Sequence, residues 1–300
     1  MDIRVILNGK KAGLDSVRSA IYKARESHAV DIRVTWEGGD VYRMVEEASQ
    51  QGCQRLVAAG GDGTVNEMVD ALLRLPVEER PELAILPLGT ANDFATACTI
   101  PTDPLAALAL AQNGHSCQVD AVKANERHFI NVASGGFGAQ VTANTPPALK
   151  NFLGGGAYTL SGLIQAVNFA PFHGTISLPE ASFTDEVIVG AVCNGRQAGG
   201  GQQLAPNAMI DDGLLDTIAL VRFPAEKIGQ VANELMDPDI NGEYVKRYRV
   251  PWIEWACDVE MPTNLDGEPV FAKRIRFEAL PGVIKLVLPE DCPVTGSGSI

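Results

Sequence analysis

The residues best suited to chemistry lie in Leu56-Val57-Ala58-Ala59-Gly60-Gly61-Asp62-Gly63-Thr64-Val65-Asn66-Glu67, an apolar run that ends in glycines and continues into a helical pattern. Glycines let a backbone approach a polyphosphate closely, and a helix starting behind them presents free N–H groups and the positive end of its dipole. Thr64 in that position caps the helix or donates to a phosphate. The alternative for the stretch is a tight turn with Asp62 and Thr64 as its capping residues. The spacing fits neither GxGxxG nor the P-loop. Thr35 and Thr90 also follow apolar runs, each either a phosphate-contacting hydroxyl or the satisfied hydroxyl of a local turn or cap. Asp266-Gly267-Glu268 stands between Val259-Glu260-Met261 and Val270-Phe271, so it reads as a hairpin turn and also as a rigid way to aim a carboxylate. Asp211-Asp212-Gly213 reads as a plain turn before a strand.

The elements that must hold these residues follow from periodicity. Short β-branched runs alternate with amphipathic stretches: Ile3 to Leu7, Leu14 to Ala24, Ile32 to Trp36, Val41 to Ala48, Leu56 to Ala59, Val65 to Leu73 and Leu83 to Leu86. That βαβαβαβ order requires crossover connections, hence a parallel sheet with helices on both faces and ligands at the carboxyl ends of its strands. Those ends carry Asn8-Gly9, Thr35, Gly60 to Thr64 and Leu88-Gly89-Thr90. A short alanine-rich helix follows Pro104. From about Cys117 strands and turns alternate, as in Gln118 to Ala124, His128 to Ala133, Val187 to Cys193 and Leu214 to Val221, which predicts an antiparallel β domain. Helical insertions are expected at Ala157 to Phe169 and at Ala225 to Met236, and the Pro- and Gly-rich interval Thr145 to Gly156 suits a cover over a site.

Bulk composition narrows the function. A chain of 300 residues predicts two domains, and 46% hydrophobic with 20% charged residues is ordinary for a compact enzyme. The net charge of −13 leaves no broad basic surface, so nucleic acid is not an expected partner and tight electrostatic adhesion to anionic membranes is disfavoured. Six cysteines stand singly without a CxxC pair or clustered histidines, which suits reduced thiols in a cytosol. The N-terminus lacks a leader pattern and no window holds about twenty uninterrupted apolar residues, so a lipid substrate would be reached from solution.

Two motifs together carry a resemblance. Gly60-Gly61-Asp62-Gly63-Thr64 followed by Asn66-Glu67, with Pro87-Leu88-Gly89-Thr90-Ala91-Asn92-Asp93-Phe94 downstream, resembles the diacylglycerol kinase catalytic domain. Asn194 to Gly201, Asp212 to Asp216 and Asn264 to Pro269 narrow the resemblance to soluble bacterial lipid kinases of the YegS type, over nearly the whole chain. It implies an α/β + β fold. A Rossmann-like three-layer α/β nucleotide domain spans 1–124, with 284–300 returning to it. The resemblance further implies an antiparallel β-sandwich lipid-substrate domain over 125–283, with the active site in the cleft between the two. The implied activity is transfer of the γ-phosphate of ATP to a lipid hydroxyl, phosphatidylglycerol- or diacylglycerol-like. The protein would be cytoplasmic, in transient peripheral contact with the inner membrane surface and without an obligate protein partner.

Carried across by residue, the resemblance implies nucleotide contacts from Thr35, Gly61, Asp62, Gly63, Thr64, Val65, Asn66, Glu67 and Thr90, with Gly60 opening the cradle. It implies Glu268 as the base that deprotonates the alcohol, with Asp62 the competing candidate by analogy with NAD kinases. Mg²⁺ bridging the β- and γ-phosphates is implied, with Asp62 as its organiser. A second metal, Mg²⁺ or Ca²⁺, is implied at Met209, Asp212 and Leu214, where a carboxylate and two backbone carbonyls supply oxygen ligands. Asn8-Gly9-Lys10 stands where Asn-Pro is usual, which makes Asn8 the weaker contact. For the lipid, an apolar patch or acyl slot is expected among Phe137, Phe152, Leu153, Tyr158, Leu160, Leu163, Ile164, Phe169 and Phe172, although the stripe within Tyr158 to Val167 is more often simply core. Lys246-Arg247-Tyr248-Arg249 is a solvated edge or a contact for lipid phosphate. The rival readings are a kinase of a soluble alcohol of NAD or sugar-phosphate type, and a non-catalytic nucleotide or lipid sensor.

Overall fold

The computed structural model of the chain describes residues 3–136, 163, 166–167 and 170–296. Two compact units are found. The first takes in Met1–Ala121, Ile210–Asp212 and Leu280–Ile300, and the second Val122–Met209 and Gly213–Ala279.

In the first unit the alternating pattern becomes β1 (Ile3–Asn8), α1 (Asp15–Ala24), β2 (Val30–Thr35), α2 (Asp40–Gln50), β3 (Arg55–Gly60), α3 (Asp62–Leu73), β4 (Glu82–Pro87), α4 (Asp93–Ala97) and α5 (Pro104–Asn113). The strands are parallel, in the order β4-β3-β1-β2. Alternate residues serve opposite faces. Val5, Leu7, Val57, Ala59, Ala84 and Leu86 meet Val17, Ile21, Ala107 and Leu108 of α1 and α5, while α2 and α3 pack on each other and on β1 to β3. All six residues of β3 are buried. Each fully buried Leu or Ile contributes about 1.5–3 kcal/mol, so the strand ends that carry the glycine loop are anchored by core rather than by the loop itself. Helix α3 begins at Asp62, three residues before the amphipathic pattern suggests, because Gly61 already serves as its N-cap.

The second unit is antiparallel. It is built from the last residues of β5 (Ser116–Ala124), which pair with β6 (Arg127–Phe129), and from β7 (Val132–Gly136), β8 (Phe172–Ser177), β9 (Ser182–Cys193), the short pair β10 (Gln197–Ala198) and β11 (Gln202–Gln203), β12 (Leu215–Val221), α6 (Ile228–Met236), β13 (Val245–Val250), β14 (Trp252–Leu265) and the first part of β15 (Glu268–Val287). β9 and β14 are each paired along part of their length with β7 and along another part with β8, which folds the sheet over a core of Val187, Trp255, Met261 and Phe277. The last part of β15 belongs to the first unit, where Leu286 pairs in parallel with Leu83 of β4.

One expectation is corrected. The single strand predicted over His128 to Ala133 is two strands, because the amides of Ile130, Asn131 and Val132 all donate to the carboxylate of Asp266, at 3.0, 2.9 and 2.7 Å, instead of running on in one ladder. Among the described residues no helix is long and apolar enough to cross a membrane.

Candidate active site

The strand ends of the first unit converge through side chains. Asn8 closes β1 and donates from Nδ2 to Thr64 Oγ1 at 3.2 Å. The amide of Gly9 donates to Thr35 Oγ1 at 3.2 Å, in register with the Asn8–Thr35 pairing of β1 and β2. Both threonine oxygens therefore accept from the protein, and each keeps its own hydroxyl proton for an acceptor such as a phosphate oxygen. Thr64 is no helix cap: it is buried within the first turn of α3, and the N-cap position is Gly61, which has no side chain with which to cap. The unshared amides of that first turn are left to a ligand.

Glycine is required here by contact. A Cβ on Gly60 would stand 2.3 Å from Thr64 Oγ1, and one on Gly89 would stand 2.6 Å from Gly61 Cα, so the loops after β3 and β4 touch through glycines. At Gly63 an added Cβ meets nothing within 4 Å, which leaves open space over the start of α3. Thr90 is exposed beside this contact. Asn92 occupies the N-cap position of α4 with φ 50° but does not cap it. Its side chain turns back onto Gly89, accepting from the amide at 2.7 Å and donating to the carbonyl at 3.1 Å, which sets the backbone on which Thr90 stands. Val65 and Asn66 are buried in α3 and Glu67 is half-buried. Asn66 Oδ1 is buried without a hydrogen-bond partner among the described residues.

Two carboxylates sit over this loop. Asp62 opens α3 and accepts from the amide of Phe94 at 3.3 Å, and Asp93 opens α4, buried. Burial pushes the Asp62 carboxyl above its ordinary range, the nearby charge of Asp93 pushes it further, and the Phe94 amide opposes both. Oxygen donors of this kind at two neighbouring helix starts suit a hard divalent cation that keeps waters and phosphate oxygens as its remaining ligands. Among the described residues no group of three or more His, Cys, Asp or Glu forms a closed metal cage. The Asn92-Asp93 pair directly after Gly89-Thr90 is the sequence signal that marks these two residues.

In the second unit, Asp266 and Gly267 form a two-residue hairpin turn. Both have positive φ, 48° and 104°, as a turn matching the strand twist demands. Leu265 pairs with Glu268, which is exposed at the start of β15. The turn is held from two sides: Asn264 Oδ1 accepts from the amide of Gly267 at 2.6 Å, and Asp266 takes the three amides of Ile130 to Val132. Asp266 thus holds the turn from which Glu268 projects, a contact its sequence context does not reveal. Hydrogen bonds to a charged acceptor contribute about 1.5–3 kcal/mol each and do not add fully. Asp266→Ala is expected to lower stability by about 2–4 kcal/mol in urea unfolding, whereas Glu268→Gln leaves it unchanged. An Asp266→Ala midpoint equal to wild type would remove the clamp from the account.

Met209, Asp212 and Leu214 lie in one short segment around Gly213, which has φ 73°. Met209 Sδ accepts from Arg196 Nη2 at 3.2 Å, and Asp212 is exposed. The basic cluster lies on β13, the edge strand of the sheet, and part of it is engaged. Arg247 on β13 donates to the carbonyls of Glu234, Leu235 and Ile240, so it closes the end of α6, and Arg249 lies 3.9 Å from Asp216. Of the residues expected to face lipid, Phe137, Phe152, Leu153, Tyr158, Leu160, Ile164 and Phe169 lie outside the described residues. Leu163 is core beside Ile188 and Val231, and Phe172 is core beside Trp255.

Comparison with known proteins places both units. Residues 2–124 match the diacylglycerol kinase catalytic domain, and residues 131–288 match the YegS C-terminal NAD kinase beta sandwich-like domain. A Shewanella frigidimarina protein named "Probable lipid kinase YegS-like" is 47% identical, covering 97% of this chain and 95% of its own. A Chromohalobacter salexigens protein of the same name is 46% identical, covering 96% and 94%. The solved structure of "a putative diacylglycerol kinase" from Bacillus anthracis superposes with a TM-score of 0.80 at 26% identity, covering 97% of this chain and 98% of that one. With a glycine cradle at the end of β3, a carboxylate pair above it and relatives matched end to end, the chain belongs to the YegS-like family of lipid kinases.

Proposed function

We propose that this protein transfers the γ-phosphoryl group of ATP to the hydroxyl of a membrane lipid, phosphatidylglycerol- or diacylglycerol-like, working from the cytoplasm at the inner membrane surface. The observation that carries the proposal is the cradle: an uncapped α3 start, glycines that admit no Cβ, and two threonine hydroxyls whose protons remain to be donated. In this reading Gly60, Gly61 and Gly63 receive the phosphates together with the Thr64 hydroxyl, while the amides of Thr64 and Val65 close the helix turn onto the Gly61 carbonyl. Thr35 and Thr90 contact the nucleotide, and Asn66 and Glu67 complete the turn behind it. Asp62, with Asp93 beside it, would hold Mg²⁺, which would supply charge neutralisation at the phosphates when bound.

Glu268 accepts the proton of the lipid hydroxyl as the oxygen forms its bond to phosphorus and the bridging oxygen leaves with ADP. Its exposure and its rigid hairpin suit a group that meets a substrate from solution. A second cation, Mg²⁺ or Ca²⁺, is assigned to the Asp212 carboxylate and the main-chain oxygens of Met209 and Leu214, which flank the turn at Gly213.

The lipid's apolar part is assigned to a cavity of about 70 Å³ inside the sandwich, lined by Ala133, Gly135, Ala191, Trp255 and Met261 among others. That is several times the room one water needs, and its walls are apolar. Trp255 Nε1 and Thr263 Oγ1, both on the lining, are buried without partners among the described residues, and they suit the ester oxygens of an acyl chain.

The test is incubation with γ-labelled ATP, Mg²⁺ and mixed bacterial lipids. Label in an organic-soluble product is expected. A folded protein that labels no lipid at any Mg²⁺ concentration, or that labels NAD or a sugar phosphate instead, would sink the proposal.

A further inference from the structure

We propose that Trp36 is the platform on which the purine base of the nucleotide stacks; the proposal rests on reading the Gly60–Thr64 loop as the ATP cradle. Trp36 is 93% exposed, more than any other large apolar side chain among the described residues, the next being Val77 at 67%. Tryptophan is normally well buried, so this exposure needs a cause. Looseness of the chain is not that cause. The amide of Trp36 donates to Asp40 Oδ2 at 2.7 Å and that of Glu37 to the same oxygen at 3.1 Å, while Asp40 is itself buried and held by Arg43 at 2.6 Å. The backbone is pinned and the indole is presented.

Its place in the fold indicates the occupant. Trp36 directly follows Thr35, whose hydroxyl accepts from Gly9, and Asn8 in turn donates to Thr64 in the cradle. β2, β1 and β3 are successive neighbours in the sheet. With strands about 4.8 Å apart, the end of β2 stands about 10 Å from the glycine loop, a distance of the order that separates a nucleotide's phosphates from its base. Beyond Trp36 the chain continues as Gly38 and Gly39, where an added Cβ would meet nothing within 4 Å, so a flat ring has room to lie beside the indole. A membrane contact is the other use of an exposed Trp. The residues around it disfavour that use: Glu37, two glycines and Asp40 form no contiguous apolar patch.

The test compares wild type, Trp36→Phe and Trp36→Ala for binding of Mg·ATP and of inorganic tripolyphosphate, which has the phosphates and no base. Trp36→Ala is expected to weaken ATP by about 5- to 150-fold, the range that loss of one base–aromatic stack produces. Trp36→Phe should weaken it far less, tripolyphosphate should bind all three alike, and the KM for ATP should rise with little change in kcat. ATP should quench indole emission in wild type and not in Trp36→Phe. If wild type binds neither ligand, the cradle reading falls and this inference with it. If wild type binds ATP and Trp36→Ala binds it equally, the inference alone falls. Equal losses for ATP and tripolyphosphate would overturn it too, as would unchanged ATP affinity with weakened binding to phosphatidylglycerol vesicles.

Discussion

Glu268→Gln is expected to bind ATP as wild type does and to melt at the same temperature, yet to transfer phosphate about 10²- to 10⁴-fold more slowly, the range over which a positioned general base contributes. The side chain is exposed on a hairpin fixed by Asn264 and Asp266, so an isosteric amide disturbs neither the fold nor the cradle of the first unit. What it removes, on the proposed reading, is the acceptor for the alcohol proton. Calorimetry with Mg·ATP and a labelled-lipid assay on the same preparation separate the two effects. Turnover close to wild type would move the base role to Asp62.

Asp62→Asn is expected to give the opposite signature, an enzyme more stable and inactive. Burial and the charge of Asp93 raise the folded-state pKa of Asp62. A carboxyl with a raised folded pKa binds its proton more tightly in the native state, so stability rises as pH falls through that pKa toward the unfolded value of about 3.9. At neutral pH the ionised side chain is therefore a cost to the fold when neither cation nor nucleotide is bound, and the amide removes it. Activity should fall by about 10²-fold or more, since the proposed organiser of transition-state charge is gone. Melting curves of the two proteins at several pH values decide the matter: the advantage of Asp62→Asn should shrink toward acid. A variant less stable than wild type at neutral pH would make Asp62 a structural residue.

How much of this was legible in the sequence depends on the range of the interactions. The parallel sheet, its helices and the glycine loop follow from local period and from residue types within a few positions of one another. So does the Asp266-Gly267 hairpin, because a two-residue turn needs only its own backbone to be recognised. The supports were not legible. Asn8 meets Thr64 across 56 positions, and Asp266 takes the amide of Ile130 across 136, pairings that no periodicity announces. The same blindness split one predicted strand at Ile130 and hid that Arg247, on the edge strand β13, closes the end of α6. Asn92 shows the limit at short range: its position suggests a cap, yet the close approach of Gly89 to Gly61 makes the backward bond the better one.

The strand β15 has a consequence for how the molecule is made. Its final residues lie against β4 in the first unit, so the parallel sheet built from the first hundred residues stays incomplete until nearly the whole chain has left the ribosome. Until then β4 presents an unpaired edge rich in Leu and Ile, the kind of surface that captures other chains. Contacts of such sequence separation also form slowly. An amino-terminal fragment ending near residue 124 should therefore aggregate rather than yield a small nucleotide-binding protein, and newly made full-length chains should depend on chaperones until translation ends.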